Sequence, residues 1–177
     1  MTLNALNALD ADRAARELLR CCGSTEWAVR MSLARPFDSM GAMFLCADAI
    51  WAALGEADWR EAFAAHPAIG AGRAGRAGRA GTAGRAEEAG WSAQEQSGVK
   101  DASTAVLDRL AAKNREYEAR FGYIFIVCAT GKSADEMLAL LERRLPNDPA
   151  VEMRVAADEQ RKITRGRLQK LVAERAA

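Results

Sequence analysis

Residues 103–129 read STAVLDRLAAKNREYEARFGYIFIVCA, and this stretch decides the fold. Val106, Leu107, Leu110 and Tyr117 recur at helical spacing, which predicts a long helix from Ser103 to Phe121. Gly122 is placed to terminate it. Tyr123 to Ala129 is the only strand-like run in the chain. A single strand has nothing to pair with, so this run is expected to be a buried extended connection. The fold class that follows is all-α.

Helix signals continue on both sides. Ser133 with Glu136 has capping-box spacing and opens a helix to about Leu145. Asp148 and Pro149 suit the start of a last helix to about Ala173. On the N-terminal side, residues 10–21 carry Leu18 and Leu19, with Gly23 to end that helix. Ser24 or Thr25 caps the next, which carries Trp27, Val29, Met31 and Leu33 and is stopped by Pro36. Ser39 opens another through Met43, Phe44, Ile50 and Leu54. Asp58 caps a short helix through Phe63, which must end near His66 because Pro67 disfavours helix before it. A further short helix is expected over about 93–98. The expectation is one domain over 1–177, a bundle of about seven to nine helices.

One segment breaks the pattern. Gly72 to Ala80 repeats a Gly-Arg-Ala triplet. With no proline, no heptad and no apolar side chain larger than alanine, about 70–88 reads as a flexible basic surface loop.

The composition sets limits. Hydrophobic residues make up 50% of the chain, but much of that is alanine, so the core depends on the larger apolar side chains. Abundant alanine, leucine, arginine and glutamate favour helix. Lys plus Arg number 25 and Asp plus Glu 24, a balance that gives no general reason to expect nucleic acid or an anionic membrane as partner. There are four cysteines, none in a CxxC pair, and a single histidine, so a Cys/His zinc site is not expected. Adjacent Cys21 and Cys22 would strain a disulfide, and free thiols fit a reducing cytoplasm. No apolar run approaches the ~18–20 residues that span a bilayer. Residues 1–12 lack the basic start and apolar stretch of a signal peptide, so a cytoplasmic location is expected.

Three groups of residues could carry chemistry. His66 is the only histidine, hence the only side chain whose ordinary pKa lies near neutrality. His66-Pro67-Ala68-Ile69-Gly70 would present the imidazole from a helix end on a fixed bend. A histidine that merely caps its helix explains the same pattern. Ser92, Glu95 and Gln96 would share one face of a helix and could bind a small polar ligand. Ser92-x-x-Glu95 is equally the spacing of a capping box. Arg165 and Arg167 lie in the last helix, where arginine offers a fork for a carboxylate or urea-like oxygen and is also commonly just solvated. No Gly-x-Ser-x-Gly elbow and no phosphate-binding Walker loop is present.

Taken in order, these pieces resemble the 2-oxo-4-hydroxy-4-carboxy-5-ureidoimidazoline (OHCU) decarboxylases. The resemblance runs from about Cys22 to Leu171. It includes Gly23-Ser24 before Trp27, Arg35-Pro36-Phe37, Phe63 to Gly70 with its His66-Pro67, Ser92 to Gln96 with Gly98, and Asn114 with Tyr117. Phe121-Gly122-Tyr123-Ile124-Phe125, Gly131, Leu145 with Asn147, and Glu159 to Ile163 complete it.

The resemblance implies an all-helical fold, usually dimeric, that needs no metal or organic cofactor. The implied reaction removes CO2 from the ureidoimidazoline substrate and leaves (S)-allantoin. His66 matches the catalytic histidine and Glu95 the active-site glutamate; Ser92 and Gln96 match polar substrate contacts, and Pro67 follows the histidine as in the family. An arginine of the last helix belongs to the site, and the family segment places Arg167 there. Gly166 departs from the usual leucine, and Arg165 is the neighbouring rival. Backbone N–H groups of Phe125, Ile126 and Val127 are further binding candidates. The Gly-Arg-Ala segment stands where the family has a less biased stretch.

Two other functions fit the residues taken singly. One is a non-catalytic helical binding module whose basic loop meets an acidic partner. The other is a lyase or hydrolase acting on a related ureido compound.

Overall fold

The computed structural model describes residues 1–67 and 102–173. The Gly-Arg-Ala segment at about 70–88 and the helix expected over 93–98 lie outside them. Among the described residues there are eight helices and no strand, so the all-α expectation holds. They are α1 (Leu3–Ala8), α2 (Ala11–Cys22), α3 (Thr25–Leu33), α4 (Met40–Ala52), α5 (Glu56–Ala64), α6 (Thr104–Phe121), α7 (Ala134–Arg144) and α8 (Pro149–Ala173). No single helix among the described residues is long and apolar enough to cross a membrane.

Contacts sort these helices into two compact units. The first comprises residues 1–62 with 160–173. Its helix ends are decided locally. Ser24 accepts from the Trp27 N–H at the start of α3, and Ser39 from the Ala42 N–H at the start of α4. Gly23 ends α2 at φ 84°, a left-handed conformation that glycine adopts without penalty. The core is built from Leu18, Trp27, Met31, Met43 and Leu168, all fully buried. The Trp27 indole N–H donates to the Ala47 carbonyl at 3.1 Å and so pins α3 to α4.

Helix α1 carries no strong signal in the sequence reading, and it is held by neighbours. Arg35 donates to the carbonyls of Leu6 (2.6 Å) and Leu9 (2.8 Å), satisfying acceptors that a short helix end leaves open. Two details differ from expectation. Helix α5 begins at Glu56, so Asp58 is not its cap; its carboxylate instead accepts from the Gly55 N–H at 3.2 Å, reaching back as the third residue of a first turn does. Helix α4 stops at Ala52 rather than continuing to Leu54, because the Leu54 N–H turns back to the Trp51 carbonyl.

The second unit comprises residues 63–67 and 102–159 among those described. Ser103 caps α6, Gly122 ends it at φ 76°, and Ser133 with Glu136 forms the expected capping box of α7. On α6, Leu110, Asn114, Tyr117 and Phe121 form the buried stripe, while Val106 and Leu107 are only half-buried. An aromatic cluster closes this unit: Tyr117 lies 4.6 Å from Phe121 and 5.3 Å from Phe125, ring centre to ring centre, and Phe63 lies 5.1 Å from Tyr123. Tyr123 to Ala129 is an extended connection, with Tyr123, Phe125, Ile126, Val127 and Ala129 all buried.

Candidate active site

Helix α5 ends at Ala64, two residues before the histidine, because Pro67 blocks continuation. The His66 N–H closes a tight turn onto the Phe63 carbonyl at 3.1 Å. His66 is half-buried and Pro67 exposed. Phe63, fully buried, sets its ring against Tyr123. The turn that carries the lone imidazole is thereby anchored beside the start of the extended run.

That run is held by side chains in place of a partner strand. Arg144 Nη1 donates to the Ile126 carbonyl at 2.9 Å, and the guanidinium lies 4.6 Å from the centre of the Phe125 ring. The Cys128 N–H donates to Glu159 Oε2 at 2.7 Å, and Lys132 Nζ to the Cys128 carbonyl at 2.6 Å. Among the described residues, the N–H groups of Phe125, Ile126 and Val127 make no hydrogen bond. Buried backbone donors are nearly always satisfied, so three in succession call for an acceptor.

Behind the run lies a buried polar network. Glu152 is fully buried and Arg144 is 7% exposed. Arg144 Nε and Nη2 both donate to Glu152 Oε1, at 2.8 and 2.6 Å. Asn147 Nδ2 donates to Oε2 at 2.7 Å, and the Tyr117 hydroxyl also donates to Oε1. Burial raises the Tyr117 pKa well above its usual value; Arg144 works against this, and the bond to Glu152 with it, so the hydroxyl stays a neutral donor. Sequence reasoning misses this network. Arg144 ends one helix and Glu152 opens the next, which is where a basic and an acidic residue complement helix dipoles in solvent. Nothing local marks them as buried partners.

The first unit holds the two candidate arginines. Arg165 is exposed, 3.6 Å from Asp48 and stacked 4.7 Å over Phe44. Arg167 is 5% exposed, on the buried face that also presents Gln160, Thr164 and Leu168. Gln160 Nε2 donates to the Cys22 carbonyl at 3.1 Å and to Thr164 Oγ1 at 3.2 Å. Burial pushes the Cys22 thiol up to about 12 and raises Cys21 as well, so both are inert neutral thiols near neutral pH. A small cleft in this unit is lined by Trp27, Phe44, Asp48, Trp51, Arg161 and Arg165, without Arg167. Ser92, Glu95 and Gln96 lie outside the described residues. No group of three or more potential metal-ligating side chains occurs among those described.

Comparison with known proteins gives these features a context. Residues 7–169 match the model of a family described as OHCU decarboxylase. The chain is 39% identical over 157 residues to the uric acid degradation bifunctional protein TTL of Arabidopsis thaliana, covering 88% of this chain and 46% of that one. It is 35% identical over 79 residues to the 2-oxo-4-hydroxy-4-carboxy-5-ureidoimidazoline decarboxylase of Amia calva, covering 45% of each. The matched stretches thus span less than half the length of these curated relatives. A crystal structure of an OHCU decarboxylase in the presence of (S)-allantoin superposes with a TM-score of 0.74 at 38% identity, covering 89% of this chain and 98% of that one. An (S)-allantoin synthase structure at 18% identity and a TM-score of 0.69, covering 97% of this chain and 54% of that one, shares the fold.

Proposed function

Since the chain belongs to the OHCU decarboxylase family, we propose that it removes CO2 from 2-oxo-4-hydroxy-4-carboxy-5-ureidoimidazoline and leaves (S)-allantoin. The observation that carries this is local: three buried backbone N–H groups without an acceptor among the described residues, in a run anchored beside the turn that presents the only imidazole.

The chemistry asks for what these residues offer. When the bond between the hydroxyl-bearing ring carbon and the carboxylate breaks, its electron pair forms a double bond to the neighbouring ureido-bearing carbon, and the ring C=N pair shifts onto nitrogen to leave an enol. Donors fixed against that developing charge lower the barrier, and the N–H groups of Phe125, Ile126 and Val127 suit this role. A proton must then reach one face of the ureido-bearing carbon as the enol hydroxyl becomes the product carbonyl, or the product is racemic. His66 delivers it. Glu95 holds the imidazole in the required tautomer or binds the ureido group, and Ser92, Gln96 and Pro67 complete the contacts. Arg167 holds a substrate oxygen. Its burial supports it over Arg165, which is exposed on the surface. On this reading the protein acts in the cytoplasm as a homodimer; four cysteines without a disulfide among them fit a reducing compartment.

The test is direct. OHCU is generated fresh from urate, protein is added, and circular dichroism follows the product. Spontaneous decay gives racemate, so a developing optical signal reports turnover. His66→Ala and Glu95→Ala are each expected to lower kcat by about 10²–10⁴ while the helical spectrum is kept. Near wild-type turnover in His66→Ala would overturn the assigned chemistry.

A further inference from the structure

We infer that the buried Arg144–Glu152 pair is a positioning device that aims the Val127 N–H and its neighbours at the substrate, an inference that rests on the function proposed above. The Ile126 carbonyl and the Val127 N–H belong to one planar trans peptide unit and point in opposite directions. Arg144, by donating to that carbonyl, sets the direction of that N–H. The next peptide unit is held by the bond from the Cys128 N–H to Glu159. Both planes flanking Val127 are therefore fixed from outside the run. The Arg144 guanidinium over Phe125 restrains the residue on the other side.

Glu152 in turn fixes Arg144. One of its oxygens takes two guanidinium N–H bonds and the Tyr117 hydroxyl, the other takes Asn147. Tyr117 comes from α6, Arg144 from α7 and Glu152 from α8, so three helices set the position of one guanidinium. A buried ion pair is on average no more stabilising than well-packed apolar residues of the same size. Its use here is geometric. An extended run with no partner strand has no ladder to define its peptide planes, and a forked cation against a carbonyl supplies that definition.

The apolar replacement separates direction from packing. In Arg144→Met with Glu152→Leu, the charges leave together and volume is nearly kept, so the fold is expected to survive. Turnover of fresh OHCU, calorimetric binding of (S)-allantoin and the amide NMR signal of Val127 are read on this variant and on the wild type. The expected result is a loss of at least tenfold in kcat/KM, weaker allantoin binding and a displaced Val127 signal at an unchanged helical spectrum. Wild-type kcat and KM in the folded variant would overturn the positioning role alone. A wild-type protein that fails to turn over OHCU would overturn the function itself, and the positioning role with it. Should the double variant not fold, Arg144→Lys carries the same comparison. Lysine keeps the charge beside Glu152 but is a point donor that cannot also hold the Ile126 carbonyl, so the tenfold loss is again expected and unchanged kinetics again overturn the inference.

Discussion

Helix α8 has two halves that differ in what they bring to the interior. Residues 149–159 present Glu152 and Glu159, seven positions apart and so on one face, and both carboxylates are spent on other parts of the protein: one on Arg144, Tyr117 and Asn147, the other on the Cys128 N–H. Residues 160–173 present Gln160, Thr164 and Arg167 on their buried face, beside Cys22 and the thiols that burial keeps protonated. The same helix thus supplies structural anions in one unit and, on the function proposed, a ligand-holding cation in the other. A charged side chain in a protein interior can serve shape or chemistry, and the partners decide which.

The largest expected effect breaks the first half. Glu152→Ala leaves the Arg144 guanidinium buried without its carboxylate, and thermal or urea unfolding should show a loss of about 3–5 kcal/mol. A loss below about 1 kcal/mol would mean that the network is not structural. The second half predicts the opposite signature. Arg167→Lys should keep most of the stability and lower kcat/KM by about 10–100-fold, since a point charge does not replace a fork. Arg165→Lys is the control: its surface contacts are worth less than about 1 kcal/mol, and its kinetics should match the wild type. If the two variants exchange behaviour, Arg165 is the binding arginine.

The smallest effect treats both units alike. Asp10 caps α2 in the first unit and Glu136 belongs to the capping box of α7 in the second; bonds from the backbone N–H groups of Arg13 and Ser133 lower their pKa values from 3.8 and 4.5. A lowered folded pKa gives stability that is present above the ordinary value and lost as pH falls through the folded one. The melting temperature should therefore drift downward below about pH 4.5, with no change between pH 6 and 8 from these groups. Glu136→Gln, which no longer titrates, should remove the Glu136 share of that drift, while Ser133→Ala, which keeps the backbone N–H, should leave most of it.

Much of the fold was legible because helix ends are local events. Gly23, Ser24, Ser39, Ser103, Gly122 and Ser133 all sit at the helix ends where their chemistry predicts them, since a cap needs only its own first turn. Helix α1 was not legible, because Arg35, far along the chain, satisfies its end. The candidate site was legible in part. His66 stands out as the lone imidazole, and its turn follows from Pro67. The difference in burial between Arg165 and Arg167 was not, since neighbouring positions on a helix differ in burial only through what packs against them.

The amino-acid order by itself determined the all-α class, the limits of α2, α3, α6, α7 and α8 and the extended character of 123–129, because each depends on periodicity, caps and the absence of a partner strand. Only the tertiary structure decided that Arg144 and Glu152 are buried together, that the Ile126 carbonyl is their third member, and that three adjacent N–H groups have no acceptor among the described residues. Those facts depend on helices α6, α7 and α8 meeting in space. Electrostatic pairing between them is set by distance through the fold, which sequence separation does not encode.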